Sequence, residues 1–344
     1  MASKFLNPRP LGKKGPLIPA VGFGLMIMTS PSYGVLPGND QRFALLDRAV
    51  EIGATFWDTS DLYGDNEDLL AQWFKKSGKR DKVFLASKFG YVPGRPTIEL
   101  NTSAAYTKKA CYASLEKIGI DYFDLYYVHN VDKVTPIEET MRALVELQAE
   151  GKIKHIGLSV VSSNTIRRAA KVAPIAAYQT GYSLFERLIE GPAGTDALAT
   201  CRELGIAVVC ATPLGRGILT STFTQGKPIG DETDMRGKIM PQFQDGAKQH
   251  NASLATQIKA VADRKGCSLS QLALAWLLKQ GDDIFPIPGT RQIKYLEDNM
   301  GALNVTLTDE EEAELRAIVD KTPVKGSAIP AGMEDILFRD TPEE

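Results

Sequence analysis

Seven short apolar runs, each followed by a polar loop and then an amphipathic stretch, set the rhythm of this chain. They are ATFW (54–57), KVFLAS (82–87), YFDLYYV (122–128), IKHIGLS (153–159), PIAAYQ (174–179), IAVVCA (206–211) and DIFPIP (283–288), and PAVGFGLMIM (19–28) precedes them as an eighth. Runs this short and this continuously apolar predict strands of a parallel sheet covered on both faces. The intervening stretches carry helix signals. NDQRFALLDRAVEIG (39–53) opens on an Asn-Asp cap and stops at Gly53, and TKKACYASLEKIG (107–119) and PIEETMRALVELQAEG (136–151) also end at Gly. Pro136 suits a first-turn position, and SLSQLALAWLLKQG (268–281) follows the same plan. About eight strand–helix alternations predict an α/β fold, a (β/α)8 TIM barrel.

Three segments exceed what a barrel needs. FLNPRPLGKKGPLIPA (5–20), with GKKG at its turn, predicts an N-terminal β-hairpin over the barrel bottom. A long loop, about 214–247, follows the seventh strand, and TDEEEAELRAIVD (308–320) is an extra C-terminal helix before an irregular end. No Gly/Ser-rich linker divides the chain, so residues 1–344 read as a single domain. The alternative, an open doubly wound sheet, lacks a GxGxxG opening its first helix.

Composition narrows the class. With 43% hydrophobic and 24% charged residues the chain reads as an ordinary soluble globular protein. A formal net charge of −2 argues against nucleic acid or an anionic membrane as partner. Cys111, Cys201, Cys210 and Cys267 are scattered with no CxxC, as expected of buried or half-buried thiols in a reducing compartment, and no metal-ligand cluster stands out. The opening MASKFLNPRPLGKKGP lacks the apolar stretch of a signal peptide, and no run reaches membrane-spanning length. The expected location is the cytoplasm.

Candidate chemistry collects at the carboxyl ends of the predicted strands, where barrels of this kind place it. The second ends at Asp58 with Tyr63 in its loop, the third brings Lys88 to the rim, and the fourth ends at His129. Singly each residue has a bland explanation: turn former, half-buried phenol, solvated amine, structural imidazole. Together they make chemical sense. A free phenol has a pKa of about 10 and is a poor acid at neutral pH. A neighbouring ammonium strengthens it, and a carboxylate keeps a buried ammonium charged. His129 can donate a hydrogen bond to a carbonyl oxygen as charge develops there. The set can protonate a forming alkoxide but supplies no electrons, so the hydride must come from a cofactor, usually NAD(P)H.

The motifs DTSDLYG (58–64), KFG (88–90), DLYYVH (124–129), EGKIKHIGLS (150–159), PLGRGILT (213–220), QLALAWLL (271–278), PIPGTR (286–291) and EDNMGAL (297–303) occur in one order across nearly the whole chain. In these the chain resembles the aldo-keto reductase superfamily, most of all microbial and fungal members with a PLGRG loop, pyridoxal reductases among them. The resemblance implies a barrel with NADPH across its mouth, Tyr63 as general acid tuned by Lys88 and Asp58, and His129 orienting the carbonyl. It places the nicotinamide carboxamide near Ser159 and Gln179, and adenine near Asp298 and Asn299. In the loop that Pro213 opens, the backbone N–H groups of Leu214, Gly215 and Arg216 and the Arg216 side chain suit a pyrophosphate. Gly289, Thr290 and Arg291, leading into a helix, suit an adenosine 2′-phosphate and so favour NADPH over NADH, with Lys294 a secondary candidate.

Two positions depart from the family pattern: Ala211 stands where an aromatic often stacks on nicotinamide, and Val160 where a polar residue often follows the GLS serine. Met26, Met28 and Trp57 suggest an apolar pocket for an aromatic or aliphatic aldehyde, and core packing is the competing reading for both methionines. The expected function is NADPH-dependent reduction of an aldehyde or ketone. Two alternatives stay open: a pyridoxal reductase with one metabolic substrate, and a cofactor-binding regulatory protein with negligible turnover.

Overall fold

The computed structural model describes residues 7–94, 97–227, 230–244 and 246–344. An antiparallel hairpin, β1 (Pro8–Pro10) and β2 (Leu17–Pro19), precedes eight parallel strands. These are β3 (Phe23–Gly24), β4 (Phe56–Asp58), β5 (Phe84–Phe89), β6 (Phe123–Val128), β7 (Ile153–Ser159), β8 (Ala177–Gly181), β9 (Ala207–Ala211) and β10 (Ile284–Pro286), each hydrogen-bonded to the next. The sheet closes on itself. Gly22 N donates to Pro286 O (2.9 Å), Gly24 N donates to Pro288 O (3.3 Å), and Gly24 and Gly289 form a parallel bridge. The (β/α)8 barrel, the hairpin and the extra helix at Asp309–Lys321 are present, as is the long loop after the seventh barrel strand, of which residues 228, 229 and 245 lie outside the described residues.

Alternation along each strand separates two apolar cores. Phe56, Ala86, Leu125, Tyr127, Ala177, Ala207, Val209 and Phe285 fill the barrel, and Leu11 and Ile18 of the hairpin plug its lower end. Gly12 (φ +73) permits that plug: a Cβ there would lie 2.8 Å from Ala176 O and 3.0 Å from Gly205 O. The intervening residues point outward into the larger core beneath the helices. Phe5 and Leu6, the first two residues of the predicted hairpin stretch, lie outside the described residues.

Several boundaries differ from the pattern. Of the run 19–28 only Phe23–Gly24 joins the barrel sheet, Pro19 being the last residue of β2, because the chain turns into a short helix at Met26–Thr29 directly above the barrel. Pro136 is the N-cap of helix Ile137–Ala149 rather than its first-turn residue. A helix of 19 residues, Ala247–Lys265, is absent from the pattern reading, although Leu254, Ile258, Val261 and Ala262 mark one buried face at helical spacing. Cys111, Cys201 and Cys210 are buried and Cys267 half-buried, all as free thiols. No helix among the described residues is long and apolar enough to cross a membrane.

Candidate active site

At the carboxyl end of the barrel lies a cavity of about 940 Å³, at the upper end of the range for small-molecule sites. Its floor is polar. Asp58, last residue of β4, points inward because Phe56 does and the alternation is two. Lys88, from β5, is wholly buried and forms an ion pair with Asp58. Its ammonium also donates to Thr59 O (2.8 Å) and Tyr63 Oη (3.3 Å). The second Asp58 oxygen accepts from Gln179 Nε2 at 2.7 Å. Burial would discharge the lysine, but attraction to Asp58 and Tyr63 more than offsets it and Lys88 sits above its ordinary pKa.

Tyr63 is set by its backbone. Thr29 Oγ1 and Asn66 N both donate to Tyr63 O, at 2.9 and 3.0 Å. Gly64 follows at φ +54, where a Cβ would lie 2.5 Å from Thr29 O. The phenol-then-glycine order is therefore a requirement of the turn that aims the phenol. Burial raises the Tyr63 pKa and Lys88 pulls it down, with burial prevailing. The phenol thus holds its proton at neutral pH, as an acid must before it acts. The sequence reading, in which the ammonium alone sets the phenol, omits this larger effect of burial.

His129 follows β6. Its ring stands edge-on to Tyr63 (5.7 Å between centroids) and Tyr91 (5.0 Å), and Nδ1 lies 3.1 Å from Ser60 Oγ. Burial first, and Lys88 second, hold it well below the ordinary imidazole pKa. A neutral imidazole carries one N–H, and with Nδ1 on Ser60 the other nitrogen is the one left for a ligand.

Along the wall, Ser159, Val160, Gln179, Ala211, Pro213, Leu214 and Arg216 line the cavity in strand order, followed by Gly289, Thr290, Arg291, Asp298 and Asn299. Gly215 lines a smaller neighbouring pocket instead. Arg216 donates to Tyr33 Oη (2.9 Å) and Ala328 O (3.0 Å), tying the loop after β9 to the chain above β3 and to the C-terminal segment. Arg291 does more of the same: Nε donates to Ile27 O (2.7 Å), Nη1 to Tyr33 O and Val35 O (both 2.9 Å), and Nη2 to Ser30 O (2.9 Å). Four of its five N–H groups are thus used, leaving one N–H and the full charge without a bond to these carbonyls. Lys294 is exposed and lies over the Tyr295 ring. Val160 (φ 55), Thr212 (φ 49) and Arg216 (φ 55), all cavity residues, adopt left-handed backbone. For β-branched Val160 and Thr212 that conformation costs on the order of 1–3 kcal/mol each.

Two expected substrate contacts are corrected. Trp57 is fully buried on the outer side of β4, 5.0 Å from Trp73, with its Nε1 donating to Ala54 O. Inward Phe56 and Asp58 dictate this, and period-two counting from Asp58 would have found it. Met28 is fully buried in the outer core, on the inner side of its short helix. Met26 does face the cavity, with Tyr33, Leu62, Tyr91 and Leu337. Ser60, Asp61 and Glu186 are polar groups at the site that the pattern does not single out. Ser60 and Asp61 were in view inside DTSDLYG, whereas nothing local marks Glu186, which meets Gly181 and Thr212 only through the fold.

Residues 20–320 match the family model described as the aldo/keto reductase family. The chain belongs to that family. It is 44% identical over 330 residues to the aldo-keto reductase yakc [NADP(+)] of Schizosaccharomyces pombe, covering 94% of this chain and 95% of that protein. It is 41% identical to the aldo-keto reductase str7 of Strobilurus tenacellus, covering 93% and 94% respectively. Among solved structures, the glycerol dehydrogenase AKR11B4 from Gluconobacter oxydans superposes with a TM-score of 0.81 at 25% identity, covering 94% of this chain and 97% of that one. An aldo-keto reductase from Klebsiella pneumoniae in complex with NADPH gives 0.71 at 25% identity, covering 97% and 100%. A family reductase acts on small carbonyl compounds, and here a phenol, an ammonium and a neutral imidazole meet at the floor of one cavity.

Proposed function

We propose that this protein is an NADPH-dependent reductase of aldehydes, and by the same chemistry of ketones. The observation that carries the reading is the convergence of Tyr63, Lys88, Asp58 and His129 at the floor of one cavity. The NADP(+) in the name of the Schizosaccharomyces pombe relative and the NADPH bound by the Klebsiella pneumoniae neighbour support the cofactor. Bound NADPH supplies a hydride to the carbonyl carbon. His129 donates a hydrogen bond to the carbonyl oxygen and orients it. Tyr63 gives its proton to that oxygen, and the phenolate left behind is stabilised by the Lys88 ammonium 3.3 Å away. Asp58 keeps that ammonium charged and, through Gln179, is itself held in place.

The donor set fits the cofactor's polar parts. Ser159 and the part of the Gln179 amide left after its bond to Asp58 would hold the carboxamide, the loop 213–216 the pyrophosphate, Gly289, Thr290 and Arg291 the 2′-phosphate, and Asp298 and Asn299 the adenine. Mixing the protein with NADPH and 4-nitrobenzaldehyde and following the nicotinamide absorbance tests the reading. Loss of that band on aldehyde addition is expected, and tight NADPH binding with no turnover would leave the regulatory alternative. Pyridoxal in place of the aldehyde separates a broad reductase from a narrow one.

Arg291→Ala is expected to weaken NADPH more than NADH, because only NADPH carries a 2′-phosphate to meet the one N–H and the charge that remain. Both also lose something as the chain at 27–35 is released from its four bonds. Fluorescence titration with each cofactor checks this, and an equal loss for the two refutes the 2′-phosphate assignment.

A further inference from the structure

The hydroxyl of Ser60 sits between two groups that compete for it. Its Oγ is 3.1 Å from His129 Nδ1 and 3.2 Å from Asp61 Oδ1, and it accepts from Leu62 N at 3.2 Å. A serine hydroxyl carries one hydrogen. If Asp61 is ionised, its carboxylate can only accept, so it takes that hydrogen, and His129 must then donate from Nδ1 to Ser60 Oγ. Neutral imidazole has a single N–H, so Nε2 is left bare. If Asp61 is protonated it donates to Ser60, Ser60 donates to His129 Nδ1, and the imidazole hydrogen resides on Nε2.

We propose that Asp61, acting through the Ser60 hydroxyl, is a positioning residue that sets the tautomer of His129, so that Nε2 bears the hydrogen when Asp61 is protonated and loses it when Asp61 ionises. The proton balance is simple. Asp61 releases one proton to solvent, Ser60 turns its hydrogen from His129 to Asp61, and the imidazole exchanges its hydrogen from Nε2 to Nδ1 without changing charge. Only the state with Asp61 protonated presents a donor to a carbonyl oxygen. The catalytic consequence rests on the function proposed above, in which His129 donates to the substrate.

The surroundings make the acid titrate where it matters. Burial, then the carboxylate of Glu67 on helix Asn66–Ser77, raise the Asp61 pKa to about 7, while Ser60, the Lys88 ammonium and the Leu62 amide pull it down. Glu67 is itself 3.5 Å from Lys117 of helix Ala104–Ile118. The buried Tyr126 of β6 also feels the Asp61 charge. Around His129 stand Tyr63, Tyr91 and the Lys88 ammonium, itself paired with Asp58; burial and Lys88 keep the imidazole neutral throughout. Tyr63 ionises far more alkaline than Asp61, so the two effects separate along the pH axis.

The test reads the tautomer directly, by nitrogen NMR of the full chain labelled at histidine, without cofactor or substrate. Three histidines are present, and His155→Gln and His250→Gln assign the third. The His129 resonances are expected to change from the Nε2–H to the Nδ1–H pattern between pH 5.5 and 8.5 with a midpoint near 7. In Asp61→Asn, whose side chain does not ionise, one pattern should persist over that range, the Nε2–H one when the amide NH2 faces Ser60. In parallel, wild-type kcat should fall roughly tenfold per pH unit above the midpoint, as one ionisation demands, while Asp61→Asn loses that limb. One tautomer at both pH values in the wild type, or an Asp61→Asn variant that titrates like it, overturns the proposal. Absence of aldehyde turnover at every pH counts against the proposed function alone, because the tautomer is read without substrate.

Discussion

Tyr63→Phe is expected to lower the rate of the chemical step by about three orders of magnitude, within the range of roughly 10²–10⁴ typical of general acid catalysis, while leaving NADPH affinity nearly unchanged. The substitution removes one oxygen and little else. The ring keeps its edge-on contact with His129, and the bonds from Thr29 and Asn66 go to the backbone carbonyl, so the turn survives. Lys88 loses its 3.3 Å bond to the phenol but keeps Asp58 and Thr59 O. What disappears is the proton. The wild type should also slow at alkaline pH as the phenol ionises, above the ordinary phenol range because burial prevails over Lys88. The variant should lack that limb. Single-turnover absorbance kinetics across pH, with cofactor affinity by fluorescence titration, checks both parts; unchanged turnover removes Tyr63 as the acid.

The barrel was readable because its information is local and periodic. Apolar runs of strand length, Gly-terminated amphipathic stretches and a GKKG turn each follow from short-range backbone and burial preferences. The floor of the site was readable for a related reason: in a closed parallel barrel every strand ends at the same rim, so Asp58, Lys88 and His129 had to meet there. What was not readable depended on direction or on distant partners. Trp57 and Met28 were misplaced because membership of a run says nothing about which face a side chain takes until an inward neighbour fixes the phase. Its motif marks Arg291 as a phosphate candidate, yet its four backbone partners between Ile27 and Val35 lie more than 250 positions away in the chain. The same holds for Glu186, half-buried against Gly181 and Thr212, and for the Ser60 bridge, which needs the close approach of His129 from β6.

Lys88→Met should both abolish efficient turnover and destabilise the fold, and the two losses can be separated. Lys88 is wholly buried and Asp58 nearly so, and methionine leaves the carboxylate with Gln179 as its remaining side-chain donor. Breaking a buried pair from one side costs about 3–5 kcal/mol, because the partner charge stays behind in a medium that solvates it poorly. Adding Asp58→Asn removes that stranded charge, so the double variant should recover much of the lost Tm. It should not recover activity, since neither methionine nor asparagine stabilises a phenolate. The pH dependence has a defined sign. The folded-state pKa of Lys88 lies above its ordinary value, so its stabilisation is fully present below the unfolded value of about 10.4 and fades only as pH rises through the folded one. The Tm gap between wild type and Lys88→Met should therefore show no loss from Lys88 deprotonation between neutral pH and mildly alkaline pH. Scanning calorimetry with single-turnover rates checks the pair. A single variant as stable as wild type would mean that the ammonium and carboxylate are not a buried charged pair, and a double variant that regains turnover would mean that the ammonium does not serve the acid.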